Sequence, residues 1–201
     1  MIWLSWQTIG FAGGVIYCSL FEWLLHKYVM HKPLKFFRYP FLAHAVTHHG
    51  KFKADQTYHL QDEADKETVP MAWWNAPAIW VLHILPMLGV QWLVGKPIFW
   101  GAMSTMIVYY AAYEYMHWCM HIPRKRNIER SGLFFRLNGH HLLHHRYMGK
   151  NLNVVLPLFD FLFGTLITRS PIKFAQATGP TIPNVQPRDS NKSKPQLTSV
   201  A

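Results

Sequence analysis

Apolar positions along this chain gather into long runs instead of alternating with polar ones. From Ile2 to Leu25 there is no Lys, Arg or Asp and one Glu, Glu22. Ala72 to Gly95 carries no charged residue, and Pro97 to Met116 carries Glu114 alone. Wound as helices, runs of this length extend about 30–36 Å, enough for a hydrocarbon core of about 30 Å. The pattern predicts three spans, about 2–25, 72–95 and 97–116. Gly95-Lys96-Pro97 is a turn signal too short to hold a domain, so the second and third spans are expected to form an antiparallel hairpin. Pro77 and Pro86 are expected to kink the second span, which lipid-embedded helices tolerate. The first run lacks the basic start and the cleavage signal of a signal peptide and is too long for one. It reads as a retained span.

The C-terminal part follows a different pattern. Val154 to Ile167 is apolar but short, and Pro157, Asp160 and Gly164 interrupt it. Residues 154–168 are expected to lie at the interface, to re-enter the bilayer, or to pack on the other helices. Residues 171–201 hold five prolines with Ser, Asn, Lys and Thr, a composition that buries no core, so 169–201 reads as a mobile tail. The expected organisation is one membrane domain over residues 1–168. Its expected fold class is an all-α integral membrane protein with three to four transmembrane helices.

Composition narrows the function classes. Half of the 201 residues are apolar and 15% are charged, which excludes disorder for most of the chain. Two cysteines, Cys18 and Cys119, both in apolar stretches, argue against a disulfide framework. The formal charge of +10 points to nucleic acid or to membrane topology. In a three-span arrangement 19 of the 20 Lys and Arg residues fall on one side. By the positive-inside rule that side is cytoplasmic, and the N-terminus and the 95–97 turn face out. The basic residues therefore serve topology, no nucleic-acid recognition motif accompanies them, and no nucleic-acid partner is expected. The location expected is an integral position in the cell membrane, or in the endoplasmic reticulum membrane of a eukaryote.

Histidine placement adds the chemistry. Eleven of the 13 histidines fall into four clusters at or just beyond the cytoplasmic ends of the expected spans. They are His26 and His31; His44, His48 and His49; His117 and His121; and His140, His141, His144 and His145. Residues four apart on a helix share a face. By that rule His44/His48, His117/His121, His140/His144 and His141/His145 each present two imidazoles to one metal. His26 and His31 are five apart and diverge on an ideal helix, so they are expected to serve different metals, or the helix ends between them near Pro33. Neutral imidazole suits Zn, Cu, Ni or Fe, and one metal takes four to six ligands, so this many histidines fit two metals better than one. His83, within the second span, and His59, in the cytoplasmic loop, read as ordinary packed or surface histidines. Glu22 precedes His26 by four residues and Glu114 precedes His117 by three. Each is placed to accept a ring N–H and fix a ligand's tautomer, and Asp160 is a weaker candidate for the same task. Tyr109, Tyr110, Tyr113 and Tyr115, with Trp118 after them, read mainly as helix packing or interface anchors, with a substrate tunnel as the other reading.

The ordered boxes HxxxxH, HxxxHH, HxxxH and HxxHH, here His26–His31, His44–His49, His117–His121 and His141–His145, resemble those of the fatty acid hydroxylase / sterol desaturase superfamily of membrane di-iron oxygenases. The stretch from Asn153 to Thr165 resembles that family's closing segment, and the likeness covers about residues 20–168. It implies a cytosolic histidine-rich cap holding two irons that activate O2 to hydroxylate or desaturate a lipid. His26, His31, His44, His48, His49, His117, His121, His141, His144 and His145 are carried over as metal ligands. His140 is ambiguous, because it makes the last box readable as HxxxHH. The first box is also similar to that of carotenoid hydroxylases, while the closing segment favours the fatty acid or sterol branch. No thiolate cluster, dinucleotide fingerprint or haem attachment motif lies in the sequence, so a separate reductase or electron carrier is the expected external electron donor. The contrasting expectation is a non-catalytic zinc-binding or metal-handling membrane protein, since zinc suits such a site equally well.

Overall fold

The computed structural model describes residues 2–168; the tail expected at 169–201 lies outside the described residues. Everything regular among them is helical. Helix α1 spans Ile2–Leu25, α2 Asn75–Val94, α3 Phe99–His121, α4 Gly132–Arg146 and α5 Leu158–Leu162. Two π-helical turns, His26–Met30 directly after α1 and Leu42–His48, carry the first two histidine boxes. Short 3-10 turns at Gln56–Tyr58, Glu63–Thr68 and Ile128–Arg130 complete the loops.

Among the described residues two segments are long and apolar enough to cross a membrane, Ile2–Met30 and Asn75–Val94, with mean hydropathy 1.4 and 1.6. Little of the second is buried. On α2 only His83 and Met87 are buried, while Leu85, Trp92 and Leu93 expose 78%, 81% and 76% of their surface. Such a face requires lipid or another apolar cover. Helix α3, expected as a third span, forms as one helix of sufficient length. Its polar side chains, among them Thr105, Tyr109, Tyr113 and Glu114, keep it out of that apolar class, and it packs against both α1 and α2.

Close backbone approach and polar contacts join α1 to α3. A Cβ on Gly101 would stand 1.9 Å from the Gln7 carbonyl oxygen, and one on Gly10 would stand 2.3 Å from that of Ile98. The Gln7 side chain accepts from the Gly101 amide at 2.6 Å and donates to the Pro97 carbonyl, and the Thr105 hydroxyl donates to the Phe11 carbonyl at 2.9 Å. Small residues and interhelical hydrogen bonds of this kind hold helices together where lipid removes the hydrophobic drive. The expected α2–α3 hairpin is present. Gly95 ends α2 in the left-handed region at φ +65°, a conformation that favours glycine, and the Phe99 amide donates to the Gln91 side chain at 3.0 Å. Pro86 lies inside α2, whereas Pro77 falls in its first turn, where a missing N–H breaks no helical bond.

After α4 the chain returns along α1. Asn153 donates to the Ser19 carbonyl at 2.8 Å, Ser19 to the Leu156 carbonyl at 2.7 Å, and the Trp23 indole to the Thr165 hydroxyl at 2.9 Å. The segment that follows Leu152 thus packs along α1.

Candidate metal centre

The fold gathers ten box histidines into two groups. One holds His26, His31, His44, His49 and His144; the other holds His48, His117, His121, His141 and His145. Within each group the ring nitrogens on offer lie within 4.8 Å of one another. In the first group, Nε2 of His44 lies 2.8 Å from that of His26 and 3.1 Å from that of His49. Nε2 of His144 lies 3.2 Å from that of His31 and 3.1 Å from that of His49. In the second group, Nε2 of His117 lies 3.2 Å from that of His48, and Nε2 of His141 is 3.1 Å from His121 and 3.0 Å from His145.

Local winding decides the sorting. In each π turn the hydrogen bond closes five residues back, from His31 N–H to the His26 carbonyl and from His49 N–H to that of His44. Residues five apart then stack on one face, so His26 joins His31 and His44 joins His49. This corrects the α-helical pairing of His44 with His48, which fall in different groups, and the reading that His26 and His31 serve different metals; the helical turn does end at Met30, between those two, as the other expectation had it. In the regular helices α3 and α4 the four-residue spacing holds, and His117/His121 and His141/His145 are paired as expected. His140/His144 is not a pair. His144 joins the first group, while His140 Nε2 turns to the Asp160 carboxylate at 3.1 Å.

A bound cation fits this donor set. The Nδ1–H groups of His48, His121, His144 and His145 donate to the carbonyls of Thr68, Tyr58, Lys150 and Phe52 at 3.2, 2.7, 2.8 and 2.6 Å, and His26 donates in the same way to Leu152. In a neutral ring that bond leaves Nε2 as an acceptor lone pair. These lone pairs converge, and converging lone pairs repel unless a positive charge lies between them. Nitrogens about 2.1 Å from a common metal stand about 3.0–3.4 Å apart at near-tetrahedral to right angles, close to the 2.8 to 3.2 Å between neighbouring Nε2 atoms here. Burial first, and then the neighbouring imidazoles, hold His44, His48, His121, His141 and His145 well below the ordinary histidine range. Burial lowers His144 to about 4 and, with His144 beside it, His31 to about 3. The rings are neutral at physiological pH, which is the ligating form.

The carboxylates are placed otherwise than expected. Glu22 accepts from the Val154 amide at 2.6 Å, the Tyr109 hydroxyl at 2.7 Å and the Asn153 side chain at 3.0 Å. Glu114 accepts from the Met71 amide at 3.3 Å. The bonds these two make among the described residues go to groups other than box histidines, and backbone carbonyls take the ring N–H groups instead. Sequence reasoning missed those carbonyls because every residue type has one. Burial pushes the Asp160 carboxyl up, but bonds from His140, Thr165 and the Asn153 and Leu152 amides outweigh it and leave the group below the usual carboxylate range. His83 and His59 stand outside both groups. His83 bonds the Ile79 carbonyl at 2.7 Å and packs edge-on to Phe21, and His59 is exposed.

An apolar pocket adjoins the first group. Met30, Met71, Ile79, Met106, Tyr109 and Tyr113 line it, with Tyr110, Cys18 and Glu22, and His26 is the box histidine in its wall. Tyr109, Tyr110 and Tyr113 thus line a cavity as well as packing the helix, whereas Tyr115 is half exposed.

Two curated relatives resemble this chain over 165 residues, 80% of its length. One is a fatty acid 2-hydroxylase of Macaca fascicularis at 25% identity, and the other a dihydroceramide fatty acyl 2-hydroxylase of Arabidopsis thaliana at 27%. The matched stretch spans 40% of the first relative and 62% of the second. No family model and no solved structure matches. Over this stretch, which includes the ordered histidine boxes, the chain is similar to these two hydroxylases.

Proposed function

We propose that this chain is an O2-dependent di-iron hydroxylase that acts on a lipid, fatty acyl or related, within the membrane. The observation that carries the reading is the apolar pocket set directly against one of two five-histidine groups. His26, His31, His44, His49 and His144 hold one ion, and His48, His117, His121, His141 and His145 hold the other. Iron bound there would supply the oxidant for an aliphatic C–H bond, using O2 and electrons from a separate reductase or carrier. The protein supplies position. Tyr109, Tyr110 and Tyr113 wall the pocket against water, and Met30 and Met71 give an acyl chain adaptable contact beside His26. The carbonyls behind five of the rings fix which nitrogen faces inward.

Topology is part of the proposal. Residues 2–25, 72–95 and 97–116 cross the bilayer, the N-terminus faces out, and both histidine groups form a cap on the cytoplasmic side, a topology supported by the Lys and Arg distribution it places on one side. The relatives are named as fatty acyl 2-hydroxylases, so carbon 2 of an acyl chain is the first position to inspect.

The test is lipid mass spectrometry on cells expressing the chain under isotopically labelled O2, with His144→Ala as control. A lipid that gains one labelled oxygen only with the unmutated chain supports hydroxylation and identifies the substrate. A product lighter by two hydrogens moves the activity to desaturation. Labile zinc, without an oxygen-dependent product in the presence of a reductase, would overturn the reading in favour of metal handling.

A further inference from the structure

The Asp160 side chain is wholly buried yet stands outside both histidine groups. Its Oδ1 accepts from the Leu152 amide at 2.8 Å and the Thr165 hydroxyl at 2.6 Å. Its Oδ2 accepts from the Asn153 amide at 2.8 Å and lies 3.1 Å from His140 Nε2. The Asn153 N–H and the Leu152 carbonyl belong to one planar peptide, and that carbonyl is the acceptor for His26 Nδ1–H. Amide resonance couples the two ends of the peptide. An anion on the N–H raises the electron density on the oxygen, and a chain of such bonds polarises cooperatively at low dielectric.

We propose that Asp160 is a positioning residue for His26, acting through the Leu152–Asn153 peptide: a carboxylate–imidazole support relayed by one backbone unit. The proposal rests on the reading of His26 as a metal ligand. Direct carboxylate contact with a ligating imidazole fixes the ring and raises its basicity, and the relay gives His26 both effects. Glu22 holds the next peptide by accepting from the Val154 amide and the Asn153 side chain, so the Leu152 carbonyl is braced from two sides. Three of the other carbonyl supports differ, those of Lys150, Thr68 and Phe52. Behind Lys150 the Asn151 amide donates to the Thr165 carbonyl, behind Thr68 the Val69 amide donates to the Lys66 carbonyl, and behind Phe52 the Lys53 amide donates to the Thr57 hydroxyl. Those acceptors are neutral, while the one behind Leu152 is a carboxylate. His26 is also the box histidine in the wall of the apolar pocket. The ligand with charged support is therefore the one nearest the proposed substrate.

The test titrates the metal-stripped full chain in detergent with Co2+, counting bound ions and following the visible absorption that reports their ligand set. The unmutated chain is expected to bind two ions. Asp160→Asn is expected to weaken one of them about 10- to 100-fold and to shift its absorption band, with the second ion and the helical circular dichroism unchanged. Two ions bound with unaltered affinity and spectrum, or both weakened alike, would overturn the relay. An unmutated chain that binds no Co2+ overturns the metal reading itself, a separate outcome. Should Asp160→Asn fail to fold, His26→Gln and His140→Gln decide. Loss of one ion in His26→Gln with both retained in His140→Gln supports the relay, and the reverse shows Asp160 acting through His140 and overturns it.

Discussion

At the residue scale, single imidazoles have separable duties. His144 belongs to the first group and His48 to the second, and each has its Nδ1–H committed to a carbonyl. His144→Ala and His48→Ala are each expected to abolish product formation while the chain still inserts in the membrane, checked by lipid mass spectrometry and fractionation. Glu22 has a different task. It satisfies the Val154 amide, the Tyr109 hydroxyl and the Asn153 side chain in a buried setting. Glu22→Gln leaves part of that set unsatisfied and is expected to lower stability by about 1–3 kcal/mol, measured by thermal unfolding in detergent. Ten of the residues drawn from the sequence as ligands lie in the two groups, because histidine is the residue whose role its chemistry announces. The supporting carbonyls of Leu152, Thr68, Tyr58, Lys150 and Phe52 carry no such announcement, and glutamates near the boxes were a natural but different choice.

At the element scale, winding and crossing carry the consequences. The hairpin turn at Gly95 was legible, since a glycine followed two residues on by proline ends one helix and starts another. The π turns were not legible, since the second box offers both the four-residue spacing His44/His48 and the five-residue spacing His44/His49, and only the winding selects the latter. The α1–α3 crossing depends on absent side chains. Gly101→Ala would drive a Cβ into the Gln7 carbonyl. It is expected to destabilise the chain by about 1–3 kcal/mol, read as a lower melting temperature with two ions per chain still bound at saturating metal.

At the scale of the whole molecule, apolar surface and the buried histidine groups divide the structure. The outer face of α2 exposes Leu82, Leu85, Trp92 and Leu93, a contiguous apolar surface that calls for lipid or another apolar cover. The chain is expected to sediment with membranes and to remain there through high-salt and alkaline carbonate washes, with detergent required to release it. Recovery in the soluble fraction would remove lipid as the cover for that face.

The sequence by itself determined the long apolar helices, the gathering of basic residues between and after them and the supply of imidazole, because length, hydropathy and residue chemistry are local properties. Tertiary structure decided which histidine stands with which. A helix can wind as α or π according to what its ring nitrogens meet across the fold, and the partners of His26 come from residues 44, 144 and 152. It also set the Asp160 carboxylate behind the Leu152–Asn153 peptide. That carboxylate is only seven residues from Asn153, but the packing of the closing segment on α1 is what brings the Leu152 carbonyl to His26, and no spacing along the chain encodes that meeting.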